Sequence, residues 1–506
     1  MHRFDARVCR DQIGAGSLVH SPPPGTTAMK ASSAAEASPK TMRSGTVKNY
    51  IAKAMADQKL VVVSGKDMTY QSHCAGMDAP AYALQAIGIR RVCALASECD
   101  KHAALFHLMN HPKTKHLAMD VKDAAAGCGE CFTHGGAVCD WASKDVDLLC
   151  SSFVCKPFSR ANGSRKEEPM GAVGNDPAVD MFYHTRSAIK AVEPRVFLLE
   201  NVDGIADNKK PMTEKTKPTK DTTKTKPTKD TTMHVILNDP EHGLCTIEKS
   251  GTPLYHVQVK SGIGGDRVGS PQARPRTLIF GVRADLHIKV SDVVKTFEKL
   301  LDAYGNAGPA GHIDDFLTET LKLAAAVPHT SQLRPETLEE HSQYCAELSK
   351  SFDSLRQKRP ELKDVLLPSD QRPSKRVRLT ASHRVQATID AVAVIENEHT
   401  TGCRVDVGCR CHLLADVSQR ADRVRARCDG AVPTLMTNSA VFSYKHGIMI
   451  HPRDFVASMG YPSPNMTFVP MSAARTLAGN GYLVPVCACA LVALFTATGH
   501  VKNAGS

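Results

Sequence analysis

The stretch DLLCSSFVCKPFS, Asp147 to Ser159, sets a run of strand length, Asp147 to Cys150, directly against a polar loop that holds Cys155. Two other runs have the same form: Val92 to Ala96 leads into Glu98, and Val196 to Leu199 leads into Glu200. Helical patterns fill the intervals, the clearest being Asp180 to Val192, which returns the chain to the strand before Glu200. Short apolar runs alternating with helices from about Met68 to Val282 predict an α/β domain with a mostly parallel sheet. In open sheets of this kind the ligand crevice lies beyond the carboxyl ends of the strands. Glu98, Cys155 and Glu200 are therefore expected to face one site.

Outward from this region the composition changes. Residues 1–45 are rich in Ser, Pro, Ala and Gly and carry no helical or strand period, which predicts a disordered tail. The unit KTKPTKDTT occurs twice in tandem inside 208–232 and cannot build a core, so it reads as a solvated insertion in a catalytic domain spanning 46–290. Beyond it the sequence turns to helices and irregular basic segments, among them Lys375, Arg376 and Arg378, which predicts a second region over 291–440. A net charge of +11 in 506 residues favours a polyanionic partner, because Lys and Arg gain affinity by displacing counterions from phosphates. The most apolar late stretch, Tyr482 to Phe495, is shorter than the roughly 20 residues of a membrane helix and contains Pro485, so no membrane span is expected. The 17 cysteines cannot all pair within one chain, which points to a reducing compartment.

Three fragments in order carry the chemistry: the Cys155 loop, FLLENVDG at Phe197 to Gly204, and SPQARPRTLIFGVR at Ser270 to Arg283. Together they resemble the cytosine-5 DNA methyltransferase family, with its Pro-Cys-Gln-Pro-Phe-Ser loop, Glu-Asn-Val strand end and Gln-x-Arg-x-Arg strand. The likeness extends to HPRDFVASMGYP, His451 to Pro462, and to Gly479-Asn480 followed by Val484-Pro485-Val486. It covers about Met68 to Val282 and Asp416 to Leu494. The resemblance implies a Rossmann-like S-adenosylmethionine-dependent methyltransferase domain with a smaller target-recognition lobe, residues 441–506 completing the catalytic domain. It implies methyl transfer to cytosine carbon 5, with DNA as the favoured target and RNA as the alternative.

The same resemblance assigns roles. Cys155 would add to cytosine carbon 6, Glu200 would hydrogen-bond ring nitrogen 3, and Arg274 and Arg276 would line that pocket, orienting the base or holding the backbone. Gly76, Glu98, Asp120 and Asn480 would hold the cofactor, Glu98 at the ribose hydroxyls and Asp120 at the adenine amino group. Strand-end carboxylates also serve as helix caps, so that reading stays open. The chain departs from the family where Asp-x-Phe-x-Gly-x-Gly-Gly is expected: Ser72 stands for the acid, Cys74 for the aromatic residue, and Asp78 and Ala79 for the paired glycines. Val154 and Lys156 replace the residues flanking the nucleophile. These departures leave a second reading, a nucleic-acid-binding relative with impaired catalysis. No Gly-x-Gly-x-x-Gly fingerprint favours hydride transfer instead. The location expected is the nucleus in a eukaryote and the cytoplasm otherwise.

Two cysteine groups fall outside these motifs. Cys128, Cys131, His134 and Cys139 have zinc-like chemistry at a spacing that matches no standard finger, and no metal is assigned to them. Cys403, Cys409, Cys411 and Cys428 are more irregular still.

Overall fold

The structure, a computed structural model, describes residues 44–505 apart from 64, 66, 142–144, 161–169, 171–175, 208–231, 273, 309–310, 327–334, 361–365, 368–370, 378–379, 400–411, 425 and 463. The tail before Ser44, the tandem insertion, Arg378, Cys403, Cys409 and Cys411 lie outside the described residues.

The main lobe is built on one nine-stranded sheet. Its strands are β1 (Met68–His73), β2 (Arg91–Ser97), β3 (Leu117–Ala118), β4 (Cys128–Cys131), β5 (Ala137–Asp140), β6 (Leu148–Ser151), β7 (Val196–Val202), β8 (Tyr255–Ile263) and β9 (Arg276–Arg283). In space the order is β8-β9-β7-β6-β1-β2-β3-β4-β5. The five central strands are parallel, while β9, β8, β4 and β5 join their neighbours antiparallel. The strand Leu148–Ser151 is buried throughout, as expected where helices cover both faces of a parallel sheet. From β1 the chain builds β2 and β3 on one side and later β6 and β7 on the other. That reversal creates the crevice at the strand ends, which is the Rossmann-like methyltransferase arrangement.

The covering helices include α1 (Ser44–Asp57), α2 (Ala79–Ile87), α3 (Lys101–Asn110), α4 (Val121–Ala126), α5 (Pro177–Val192) and α6 (Val290–Ala307). Along α6, Val293, Val294, Phe297, Leu300, Leu301 and Tyr304 recur at helical spacing and are buried in the same core as Met68, Tyr70 and Phe280 of the sheet. Helix α6, which begins at the expected boundary near 291, thus packs on the main sheet.

The smaller lobe contains α7 (Leu338–Arg356) and α8 (His383–His399) beside a four-stranded antiparallel sheet. Its strands are β10 (Leu414–Asp416), β11 (Ala426–Arg427), β12 (Val441–Ser443) and β13 (Ile448–Met449), in the order β11-β10-β12-β13. Tyr344, Leu348 and Phe352 of α7 meet Ala387, Ala391 and Val394 of α8, while Phe442 and Tyr444 pack on the other flank with Ile389 and Val392. β12 and β13, which follow position 440, pair within this small sheet.

The chain then returns through α9 (Pro452–Ser458), α10 (Met471–Asn480) and α11 (Val484–Thr498). Pro485 sits in the first turn of α11, where its missing N–H costs no helical bond. Nearly every residue of α11 is buried, sharing one core with α1, α2 and α6. A helix apolar on all sides belongs in the interior of a large core. No single described helix is long and apolar enough to cross a membrane.

Candidate active site

Cys155 lies just beyond the carboxyl end of β6, in a loop pinned on both sides. Phe153 and Phe158 are buried, their rings edge to face at 6.2 Å. The N–H groups of Phe158 and Ser159 both donate to the Cys155 carbonyl at 3.0 Å, closing a turn behind the cysteine. Asn201, on β7, donates from Nδ2 to the Phe153 carbonyl at 2.9 Å. Gly204 lies so near the loop that a Cβ there would stand 2.4 Å from the Phe158 carbonyl oxygen. Arg160 closes the loop's far end by pairing with Asp203 and Asp207. The FLLENVDG segment therefore supports the backbone of the Cys155 loop as well as supplying Glu200.

Glu200 projects from β7, and Arg276, at the start of β9, meets it with Nε 2.6 Å from Oε1. Both side chains are only 9% exposed, so each charge depends on the other. Arg274 is turned differently. It is fully buried and donates from Nη1 to the Ala478 carbonyl at 2.6 Å and from Nη2 to the Gly479 carbonyl at 2.7 Å, gripping the end of α10 next to Asn480. Burial, with Arg276 adding repulsion, holds its guanidinium below its ordinary pKa. Both of these donors, Nη1 and Nη2, are directed at the chain's own backbone. Burial pushes the Cys155 thiol above its usual pKa; Arg276 opposes this, Glu200 reinforces it and Arg274 opposes it again.

The turn after β1 keeps a tightly wound backbone although most of the expected glycines are missing. Cys74, Gly76 and Asp78 have φ of +50°, +54° for the aspartate and +52° for the glycine. Left-handed conformations at non-glycine residues cost roughly 1–2 kcal/mol each unless something holds them. Asp78 is held: its fully buried carboxylate accepts from Tyr70 Oη at 3.1 Å and Ser72 Oγ at 3.0 Å, and caps α2 through the Ala81 N–H. Ser72, at the position expected to carry an acid, is thus engaged beneath the turn. The Gly76 N–H donates to Glu98 Oε2 at 2.7 Å, and the Asp100 N–H donates to Oε1 at 2.8 Å. Burial raises the Glu98 carboxyl, against the pull of those two donors. Asp120 caps α4, accepting from the Lys122 N–H at 3.0 Å, so its helix-capping role is real whatever else it binds.

One cavity of ≈ 600 Å³ gathers these groups. Gly76, Glu98, Asp120, Cys155, Glu200, Arg274, Arg276 and Asn480 all line it. Asn201, Gly204 and Asp78 were missed by the sequence reasoning. Alternation along β7 was the available signal for Asn201, since it puts the neighbour of Glu200 on the opposite face, toward the loop. For Asp78 a helix-capping position before Ala79-Pro80 was the signal.

Residues 68–222 match the family model described as C-5 cytosine-specific DNA methylase. The Type II methyltransferase M.PspPI of Psychrobacter sp. is 27% identical over 275 residues, 54% of this chain and 51% of that protein. The DNA-cytosine methyltransferase of Escherichia coli K12 is 29% identical over 224 residues, 42% of each chain. The chain thus spans about half, or less, of the length of these relatives. The crystal structure of the S. pombe Dnmt2 methyltransferase overlays with a TM-score of 0.38 at 14% identity, covering 85% of this chain and 98% of that one. Residues 68–222 of this chain thus match a C-5 cytosine-specific DNA methylase domain, and DNA-cytosine methyltransferases are among its relatives at modest identity.

Proposed function

We propose that the protein transfers a methyl group from S-adenosylmethionine to carbon 5 of cytosine in DNA, through a covalent adduct on Cys155. The observation that carries this reading is the single cavity in which Cys155 and the Glu200–Arg276 pair share walls with Glu98 and Asp120.

The cavity suits the cofactor's nucleoside end. Glu98 keeps lone pairs for ribose hydroxyls after accepting its two backbone bonds, and Asp120, on the wall of the same cavity, is the carboxylate proposed for the adenine amino group. A Cβ on Gly76 would meet no atom within 4 Å, so the turn leaves open space at that point. The methionine end fits less well, because Ser72 offers no carboxylate and is bonded to Asp78. When bound, S-adenosylmethionine supplies an electrophilic methyl group.

The remaining steps belong to the chain. A cytosine within a duplex must first be extruded to reach the cavity. The thiolate of Cys155 attacks carbon 6, and Arg276 and Arg274 favour the charged sulfur. Glu200, oriented by Arg276, must carry a proton to hydrogen-bond nitrogen 3 as negative charge develops on the ring; once carbon 5 is methylated, loss of its proton to solvent expels the Cys155 thiolate and frees the product. Cys155→Ser should abolish methyl transfer to a cytosine-containing duplex while calorimetric affinity for S-adenosylhomocysteine is kept. Turnover above a trace in that variant would remove Cys155 from the role.

The engagement of Ser72 by Asp78 favours a second reading, a nucleic-acid binder that has lost catalysis. In that case calorimetry finds no binding of either S-adenosylmethionine or S-adenosylhomocysteine. Transfer to RNA in preference to the duplex would instead leave the chemistry intact and change the target.

A further inference from the structure

We propose that His116, Cys131, His134 and Cys139 bind a structural zinc ion that clips the β4–β5 hairpin to β3. The four donor atoms lie within 4.8 Å of one another. Cys131 Sγ is 3.2 Å from His134 Nδ1 and 3.9 Å from His116 Nδ1, and Cys139 Sγ is 3.3 Å from the same His134 nitrogen. Tetrahedral zinc with ordinary Zn–S and Zn–N lengths sets its sulfur and nitrogen ligands roughly 3.5 Å apart, so the four atoms already stand near the corners of such a site.

The hairpin's register decides which cysteines take part. Cys131 pairs with Ala137 and Cys139 with Gly129, so both thiols fall on one face, while Cys128, paired with Asp140, falls on the other. The turn Phe132–His134, followed by Gly135 and Gly136 at φ of +70° and +85°, folds His134 back over that face. His116 arrives from the residue before β3, whose Ala118 is the partner of Cys131. Spacing along the sequence favours Cys128 as the fourth ligand; the structure replaces it with His116.

Hydrogen bonding alone satisfies this group poorly. Two thiols converge on the single ring nitrogen His134 Nδ1, and a neutral imidazole nitrogen has one lone pair to share between them. A cation at the centre meets all four donors at once. Two thiolates and two imidazoles form a neutral complex with a divalent ion, and closed four-ligand sets of this type are structural rather than catalytic. The segment it encloses, His116 to Cys139, includes Asp120 and the whole of α4.

The test is metal analysis of the full-length protein purified under reducing conditions and dialysed against metal-free buffer. About one zinc per chain is expected. Cys139→Ser and His116→Gln should each lose it, whereas Cys128→Ser should keep it. Both ligand substitutions fall on partly exposed residues, and circular dichroism of each variant checks its fold. A cobalt(II) titration of the unaltered protein gives an independent reading, with the intense visible bands of a tetrahedral ion and thiolate-to-cobalt charge transfer. Zinc far below one per chain, zinc retained in His116→Gln, or zinc lost in Cys128→Ser would overturn the assignment. So would a Cys131–Cys139 disulfide in place of metal, or an octahedral cobalt spectrum.

Discussion

Replacing one member of the Glu200–Arg276 pair leaves the other as an uncompensated charge in a largely buried site, and the size of the effect follows from the burial. With Nε 2.6 Å from Oε1 and both side chains 9% exposed, water only partly substitutes for the lost partner. Removing one member of a buried pair costs about 3–5 kcal/mol, whereas removing both abolishes the stranded charge. Glu200→Gln and Arg276→Met should each destabilise the main lobe by about that much, and the double variant should recover a coupling of about 2–3 kcal/mol. The sole tryptophan, Trp141, is buried on this lobe and reports its unfolding in urea without the smaller lobe. The cycle needs four urea curves read by that fluorescence. Additive losses, agreeing within about 0.5 kcal/mol, would show the two residues to be independent and would remove Arg276 as the group that orients Glu200.

Other consequences are open to measurement. Alkylation of Cys155 by iodoacetamide should accelerate with a midpoint above that of an ordinary thiol, about 8.5, and Arg276→Met should move the midpoint higher because it removes the main group opposing the burial effect; a downward move would contradict the assignment. Gly204→Ala forces a Cβ to within 2.4 Å of the Phe158 carbonyl, so the Cys155 loop must shift, with a stability loss of about 1–3 kcal/mol and slower alkylation. Lys156, exposed beside Cys155, is expected to face phosphate: Lys156→Gln should flatten the log-log salt dependence of duplex binding by about 0.9 and leave the alkylation midpoint where it was.

The strand ends were legible because parallel strands buried on both faces leave short apolar runs, and each run here leads into a polar residue or loop that lines the cavity: Glu98, Cys155, Glu200. The motif order placed Arg274, Arg276 and Asn480 around the same crevice, and all eight expected residues line one cavity. What each arginine holds was not legible. Arg274 reaches Ala478 and Gly479, some 200 positions away, and no local pattern encodes a partner that distant. Membership of α6 in the main core was hidden for a related reason. Its amphipathic stripe says that one face is buried and leaves open against what. His116 was overlooked because cysteine spacing is counted along the chain, while the β3–β4 pairing brings in a ligand from before α4.

The position of α11 also bears on how the protein is made. This helix fills the core beneath β1 and α2, yet about 400 residues of chain separate it from β1, which a ribosome covers in roughly 20–80 s at 5–20 residues per second. Throughout that interval the apolar face that α11 will cover, Leu84 and Ala81 of α2 among it, is exposed on the nascent chain. The main lobe is therefore a post-translational closure, dependent during synthesis on whatever shields that face, and a chain stopped short of Val484 leaves it permanently open.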